Sequence, residues 1–381
     1  MQAARKILHS EAENHAVSVI LLVGSREMQM RRIIYLCPAD NVPTGGVKVI
    51  YRHAELLTSL GADAFVLHPF DSEFTCNWFS HSASLLRSLA LDPNSDFVII
   101  PEIWAPIFGP QCIDQRVRFA IFVQNGYFTY PRLPAHSPEL FDRTYQAADL
   151  VLSISEDTTR MVALNYPQID PTRLVRVRYS IHERFFARPN DIPTGAPCIT
   201  YMPRKMADHA NQVVFALRHH LPPSWQIVPI HNVDEARLVA MLFESRIFLS
   251  FSSFEGLPAP PVEAALAGNL VIGYTGQGAS EYWDAPNFQE IYQGDVHSFV
   301  RTVHRAALAI DAQCITHDDL APGIDRLAKS FSPASEAINL RMLLGRIERC
   351  FVVPAFTGDK SQLLAAVQIA SGPSYSALGP G

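Results

Sequence analysis

At 381 residues, the chain is long enough for two domains of about 150 residues each, with room for smaller segments. An apolar share of 48% against a charged share of 18% excludes a globally disordered protein. Thirty-one basic against 37 acidic side chains give a net charge of −6, which excludes bulk electrostatic attachment to nucleic acid. The six cysteines, at 37, 76, 112, 198, 314 and 350, follow no C-x-x-C or regular spacing, so neither a zinc site nor a disulfide framework is expected and a reducing, cytoplasmic setting is.

Residues 1–29 read as an N-terminal extension. Their apolar run at 16–23 lies behind Glu11 and Glu13, unlike a signal peptide, and no stretch of the chain reaches the roughly 18 apolar residues of a spanning helix. From Met30 onward, short apolar runs alternate with helical patterns, the signature of βαβ units and a parallel sheet. Strands are expected at 32–37, 64–68, 96–101, 118–124, 150–154 and 174–179, nearly continuous in Val, Ile, Phe and Leu as strands covered on both faces are. Between the first two, Val47, Ile50, Ala54, Leu57 and Leu60 recur at helical spacing and Gly61 closes the segment. These elements make a first domain over 30–182.

Residues 183–197 break the rhythm with three prolines and a glycine and read as a linker. A second series occupies 198–331, with strands at 199–202, 226–230, 247–251 and 270–274 and helices near 207–220, 234–245 and 261–267. Residues 332–353 form a C-terminal helix with Ser332 at its cap and Pro333 at its first position, and 354–381 read as a flexible tail. The fold class expected is α/β: two Rossmann-like parallel-sheet domains facing each other across a cleft, where open α/β sheets bind ligands.

The segment 247–274 is the most informative. A strand runs into a loop carrying Glu255 and Gly256, and a short helix opens at Pro260 or Pro261, places Glu263 in its first turn and ends at Gly268. Two carboxylates eight residues apart can both face the cleft, beside a helix N-terminus whose free N–H groups favour an anion. On spacing alone, a turn glutamate at 255 and a dipole-favoured glutamate at 263 explain the pattern equally well.

Three further motifs fall in order around it. Pro43-Thr44-Gly45-Gly46-Val47 follows the first strand, Tyr201-Met202-Pro203-Arg204-Lys205 opens the second domain, and Tyr274-Thr275-Gly276-Gln277-Gly278-Ala279-Ser280-Glu281 follows the strand after Gly268. With E-x7-E and the helix Glu263-Ala264-Ala265-Leu266-Ala267-Gly268, this set resembles the retaining GT-B glycosyltransferases of the large family-4 type.

The resemblance implies a hexosyl or deoxyhexosyl transferase that moves a sugar from a nucleoside-diphosphate sugar to a hydroxyl of a glycan, polysaccharide or lipid-linked acceptor, with retention of configuration. Glu263 would accept two hydrogen bonds from the ribose hydroxyls. Glu255 would hold sugar hydroxyls and stabilise charge at the anomeric carbon, while Arg204 and Lys205 take the departing diphosphate. Gly256, Leu257, Gly45, Gly46, Thr275, Gly276 and Gln277 would complete the donor site. Gln124 and Asn125 stand where many family members carry a histidine, so they can position hydroxyls of sugar or acceptor but relay no proton.

Pro258 replaces a glycine usual in the family's loop and removes an N–H there. No Asp-x-Asp motif is present, so no metal is expected, and no cofactor beyond the donor itself. His68, His136, His182 and His231 are expected to be surface or core residues. Base contacts are expected from backbone near 230–233. The expected partners are the donor and a saccharide acceptor, without nucleic acid. Membrane association would be peripheral at most, through Trp78 and Phe79, although packing of these rings within their loop is the first expectation. A nucleotide-sugar epimerase of the same architecture and an inactive nucleotide-sugar-binding homologue remain as alternatives.

Overall fold

In the computed structural model, which describes residues 31–71, 73–88, 90–131, 137–188, 195–284 and 286–351, the apolar runs form two wholly parallel sheets. The extension 1–29, the tail from 354 and linker residues 189–194 lie outside the described residues. The first sheet contains β1 (Arg32–Leu36), β2 (Asp63–Leu67), β3 (Ser84–Leu86), β4 (Asp96–Pro101), β5 (Arg118–Val123), β6 (Leu150–Ser153) and β7 (Leu174–Arg176). Their order is β3-β2-β1-β4-β5-β6-β7, and the register sets Ile34 of the central strand between Phe65 and Val98. Every residue of β4 and β5 is buried, because helices cover both faces.

The second sheet holds β8 (Cys198–Tyr201), β9 (Gln226–Pro229), β10 (Ile247–Ser250), β11 (Leu270–Gly273) and β12 (Phe288–Glu290), in the order β12-β11-β10-β8-β9. Ten helices accompany the sheets among the described residues: α1 (Gly45–Ser59), α2 (Ala105–Gln115), α3 (Pro138–Ala147), α4 (Glu156–Asn165), α5 (Ala207–Leu217), α6 (Glu235–Glu244), α7 (Ala259–Leu266), α8 (Val296–Asp311), α9 (His317–Ser330) and α10 (Pro333–Cys350).

All ten expected strands are present, mostly a residue or two shorter at their C-terminal ends, where the chain bends into the cleft loops. The edge strands β3 and β12 carry only three residues each and gave no period to read. Helix α2 was not expected because Gly109 and Pro110 stand inside it. Gly109 is needed there: a Cβ would lie 2.2 Å from Thr144 Cγ2 on α3, so the two helices touch at a residue without a side chain.

Helix α10 begins as expected, with Ser332 Oγ accepting the Ser335 N–H, but it packs against the first domain. Its buried Glu336 accepts from Ser180 Oγ, and its carboxylate oxygens lie 3.4 Å from Arg52 Nε and 3.6 Å from His53 Nε2, both on α1. One apolar cluster runs from Tyr35 and Phe122 through Val177, Tyr179, Ile181 and Phe185 to Phe248, Val262, Phe331 and Leu340. The two sheets therefore share core, in addition to their separate cores.

Phe79 packs edge-on against Tyr51, with centroids 5.4 Å apart, and Trp78 Nε1 donates to the Asp40 carbonyl at 3.3 Å. Both rings are thus engaged inside the first domain, Phe79 by α1 and Trp78 by the segment after β1. No helix among the described residues is long and apolar enough to cross a membrane.

Candidate active site between the two sheets

The loop from β10 to α7 lies where the domains meet, and its backbone is fixed from three sides. Glu255 N–H donates to the Gly276 carbonyl (3.0 Å) and Gly278 N–H to the Glu255 carbonyl (3.2 Å), so the two cleft loops of the second domain run together. Tyr179 and Tyr282 hydroxyls donate to the Leu257 and Pro258 carbonyls, each at 2.8 Å. Gly256 rests directly on the first domain: a Cβ there would sit 1.8 Å from the Gln124 carbonyl oxygen. With the loop's carbonyls turned into protein, the Gly256 and Leu257 N–H groups have no acceptor among the described residues. Those are donors a phosphate or hydroxyl oxygen would satisfy.

Glu255 is ion-paired with Lys205 Nζ, and both side chains keep partial access to water. Lys205 arrives there from the turn after β8, closed by its N–H on the Met202 carbonyl (3.1 Å). Arg204 does not join it. That side chain is exposed, with no hydrogen bond or ion pair among the described residues.

Helix α7 starts at Ala259 rather than at Pro260 or Pro261, so Glu263 is its fifth residue and lies beyond the first turn where the sequence placed it. Prolines at the second and third helical positions cost no hydrogen bond, since those N–H groups have no intrahelical partner. The Glu263 carboxylate has no hydrogen-bond partner among the described residues. Burial pushes its pKa up to about 7; the Lys48 ammonium opposes the shift and the Glu235 carboxylate adds to it.

Lys48 and Glu235 are site residues the sequence reading missed. Lys48, on α1 just behind the glycine pair, reaches Glu235 at the start of α6 across 3.0 Å, joining one domain to the other. His182 Nδ1 stands 3.9 Å from the second Glu235 oxygen, and burial lowers the imidazole's pKa with Glu235 opposing. The available signals were the position of Lys48 directly after Gly-Gly-Val and an Asp-Glu pair opening a helix.

Gly45 and Gly46 are the first residues of α1, whose N-terminus has neither a side-chain cap nor an acidic residue in its first turn. Such an end suits an anion. Gln124 Nε2 donates to the Gly46 carbonyl (3.3 Å), while Asn125 Oδ1 accepts from Tyr127 N–H (2.9 Å) and its Nδ2 donates to the Phe254 carbonyl (2.8 Å). Both amides therefore hold cleft loops in place. Their own backbone N–H groups donate to the buried Glu102 carboxylate, at 3.2 and 3.0 Å, whose pKa burial pushes up to about 7. Glu102 was also missed: it follows a strand buried at every residue and leaves no periodic signal.

Gly276 and Gln277 both have positive φ, +62° and +68°, and Thr275 Oγ1 accepts the Gln277 N–H at 3.2 Å. The same loop ends on Glu281, which pairs with Arg176 and with Arg178 (3.2 Å) and accepts the Glu156 N–H (2.7 Å) at the N-terminus of α4. His68 is a satisfied core residue between Tyr51 Oη (2.8 Å) and the Cys37 carbonyl (2.9 Å), and His231 is exposed. His136 lies outside the described residues. No group of three or more His, Cys, Asp or Glu among the described residues is placed to hold a metal ion.

No protein-family model matches the sequence, and no curated protein matches it. Solved structures do. Sucrose-phosphate synthase from Thermosynechococcus elongatus superposes with a TM-score of 0.64 at 12% identity, over 84% of this chain and 100% of that one. HepE from Anabaena in complex with UDP-glucose gives 0.63 at 11% identity, over 82% and 99%. The lipopolysaccharide outer core galactosyltransferase WaaB gives 0.53 at 15%, over 84% and 100%. At such identities the likeness is one of fold: the chain has the two-domain GT-B architecture.

Proposed function

We propose that the protein is a retaining, metal-independent glycosyltransferase that moves a sugar from a nucleoside-diphosphate sugar to a saccharide hydroxyl. In this reading, residues 198–331 hold the nucleotide and residues 30–182 the acceptor. The observation that carries it is Glu263, a carboxylate in the cleft without a hydrogen-bond partner among the described residues, on the same loop and helix as the free N–H groups of Gly256 and Leu257. A ribose diol supplies two donors to such a carboxylate, and a diphosphate accepts from such N–H groups.

The Glu255–Lys205 pair would act at the reacting end. Lys205 stabilises the diphosphate as its negative charge grows, and Glu255 accepts from the sugar's hydroxyls while countering positive charge at the anomeric carbon. Arg204, exposed and without a partner among the described residues, would be free to follow the phosphate. Because Glu255 is already neutralised by a lysine, it is a poor covalent nucleophile of the kind retaining glycosidases use. Attack of the acceptor hydroxyl on the donor's own leaving face, with the departing diphosphate taking the proton, fits these groups better. Gly45 and Gly46 at the open N-terminus of α1, together with Thr275, Gly276 and Gln277, would close around the donor. Gln124 and Asn125 would act chiefly by holding those loops. The acceptor class is a polysaccharide or lipid-linked saccharide, met in the cytoplasm or at a membrane surface.

HepE binds UDP-glucose, so UDP is the first nucleotide to try. A nucleoside diphosphate at 100 times its dissociation constant should stabilise the protein by about 2.7 kcal/mol in thermal unfolding. If none of the common nucleoside diphosphates shifts the transition, the reading is wrong.

A further inference from the structure

Phe254 occupies a position that costs an aromatic residue stability. Its φ is +51°, in the left-handed region that bulky side chains avoid, and 60% of its surface remains exposed. The loop holds it there on both sides: its carbonyl accepts from Asn125 Nδ2, and the next N–H, of Glu255, donates to the Gly276 carbonyl. The ring is not seated in the core. It leans on Tyr127, with centroids 4.9 Å apart and planes at 54°, and Tyr127 is fixed in turn by its hydroxyl on Asp157 (2.9 Å) and its N–H on Asn125. Two rings from facing domains thus make a rigid ledge one residue from Glu255.

A fixed, exposed aromatic face is negatively polarised and offers apolar area with little loss of rotamer freedom. The C–H face of a pyranose is its chemical complement. The nucleotide has other partners: Glu263 lies among Lys48, on α1, and Glu235, on α6, whereas the ledge lies against the segment after β5 and the first turn of α4. We propose that Phe254 and Tyr127 form a stacking subsite for a pyranose ring of the saccharide acceptor, with Asp157 at its rim. This rests on the glycosyl-transfer reading for the identity of that saccharide.

The test uses saturation-transfer NMR with methyl α- and β-pyranosides of glucose, galactose, mannose and N-acetylglucosamine, each with and without saturating UDP, and a separate UDP titration. Wild type should transfer saturation to the ring protons of at least one pyranoside. Phe254→Ala should weaken that pyranoside about tenfold, as loss of a stacked ring does, with UDP affinity unchanged. Phe254→Gly removes the ring and relieves the positive φ; an equal loss there assigns the effect to the ring rather than to the loop. Phe254→Trp should retain binding. A pyranoside signal absent in wild type, or indifferent to Phe254, overturns the ledge even if UDP binds. A tenfold loss of UDP affinity in Phe254→Ala also overturns it, by making the ring a base platform. A Phe254-dependent pyranoside signal in a protein that ignores UDP keeps the ledge and removes the donor reading instead.

Discussion

Glu263 sets a conflict between stability and binding that one substitution exposes. Burial raises its pKa from 4.5 to about 7, so the folded protein holds a proton that the unfolded chain releases earlier. Stability contributed by the protonated form is full below about pH 4.5 and is lost as pH rises through about 7. At face value the shift is worth about 3 kcal/mol, and about 1–2 kcal/mol after screening for a residue that keeps partial access to water. Glu263→Gln keeps the shape and removes the charge. It should therefore unfold about 2–5 °C higher than wild type at pH 8 and nearly with it at pH 4.5. In its proposed role the same carboxylate must be ionised to accept two ribose hydroxyls. At pH 6 about one molecule in ten is, so the affinity of wild type for UDP-glucose should be about tenfold weaker at pH 6 than at pH 8. The variant should bind weakly at both and lose that dependence. Calorimetric unfolding and ligand titration at the two pH values supply the numbers. A Glu263→Gln protein no more stable than wild type at pH 8, or a wild-type affinity flat in pH, refutes the reasoning.

Lys48→Met removes the cation that opposes the Glu263 shift, so the pH midpoint of UDP-glucose binding should move upward; a downward or absent shift would detach Lys48 from the site. Lys205→Met should cut turnover at saturating donor by about 10²–10³, the usual effect of removing a preorganised donor to a developing anion. Arg204→Met, exposed and unpaired, should cost far less in the same assay. Gly256→Ala puts a methyl group 1.8 Å from the Gln124 carbonyl oxygen, and since both are backbone the domains must part: a loss of about 1–3 kcal/mol in thermal unfolding is expected. An unchanged unfolding temperature would mean that the loops are not in contact in solution.

The legible part of the chain was what period and punctuation encode. Strands such as β4 and β5, buried at every residue, announce themselves as apolar runs, and Gly61 and Gly268, with φ of +89° and +90°, mark helix ends by a conformation other residues resist. The turn between β10 and α7 was placed in the same way, by the end of an apolar run, by Pro260 and Pro261, and by Gly268. Contacts between distant segments leave no such mark. Glu102 meets Gln124 and Asn125 because β4 and β5 are neighbours in one sheet, whereas Lys48 meets Glu235, and Glu281 meets Arg176 and Glu156, only because two sheets face each other. The Arg204-Lys205 pair shows the limit from the other side: neighbours in sequence, one is turned onto Glu255 by the reverse turn at Met202, and the other into solvent.

The loop proposed to bind the donor is also the joint between the domains, and this ties binding to geometry. Gly256 lies on the Gln124 backbone, Asn125 holds the Phe254 carbonyl, and Tyr179 holds that of Leu257. Gln124 in turn holds Gly46 at the head of α1, and α1 is joined to α10 by the Arg52–Glu336 ion pair. A displacement of the first domain therefore moves the Gly256 and Leu257 N–H groups relative to α1's open N-terminus, the two sets of donors that would face one diphosphate. An interaction with ligand made only when both sets converge stabilises the joined arrangement over any parted one, by as much as its affinity for the two differs. Substitutions at the joint, far from the reacting atoms, should thus weaken nucleotide binding and lower the unfolding temperature together, whereas Lys205→Met should affect turnover while leaving the unfolding temperature nearly unchanged.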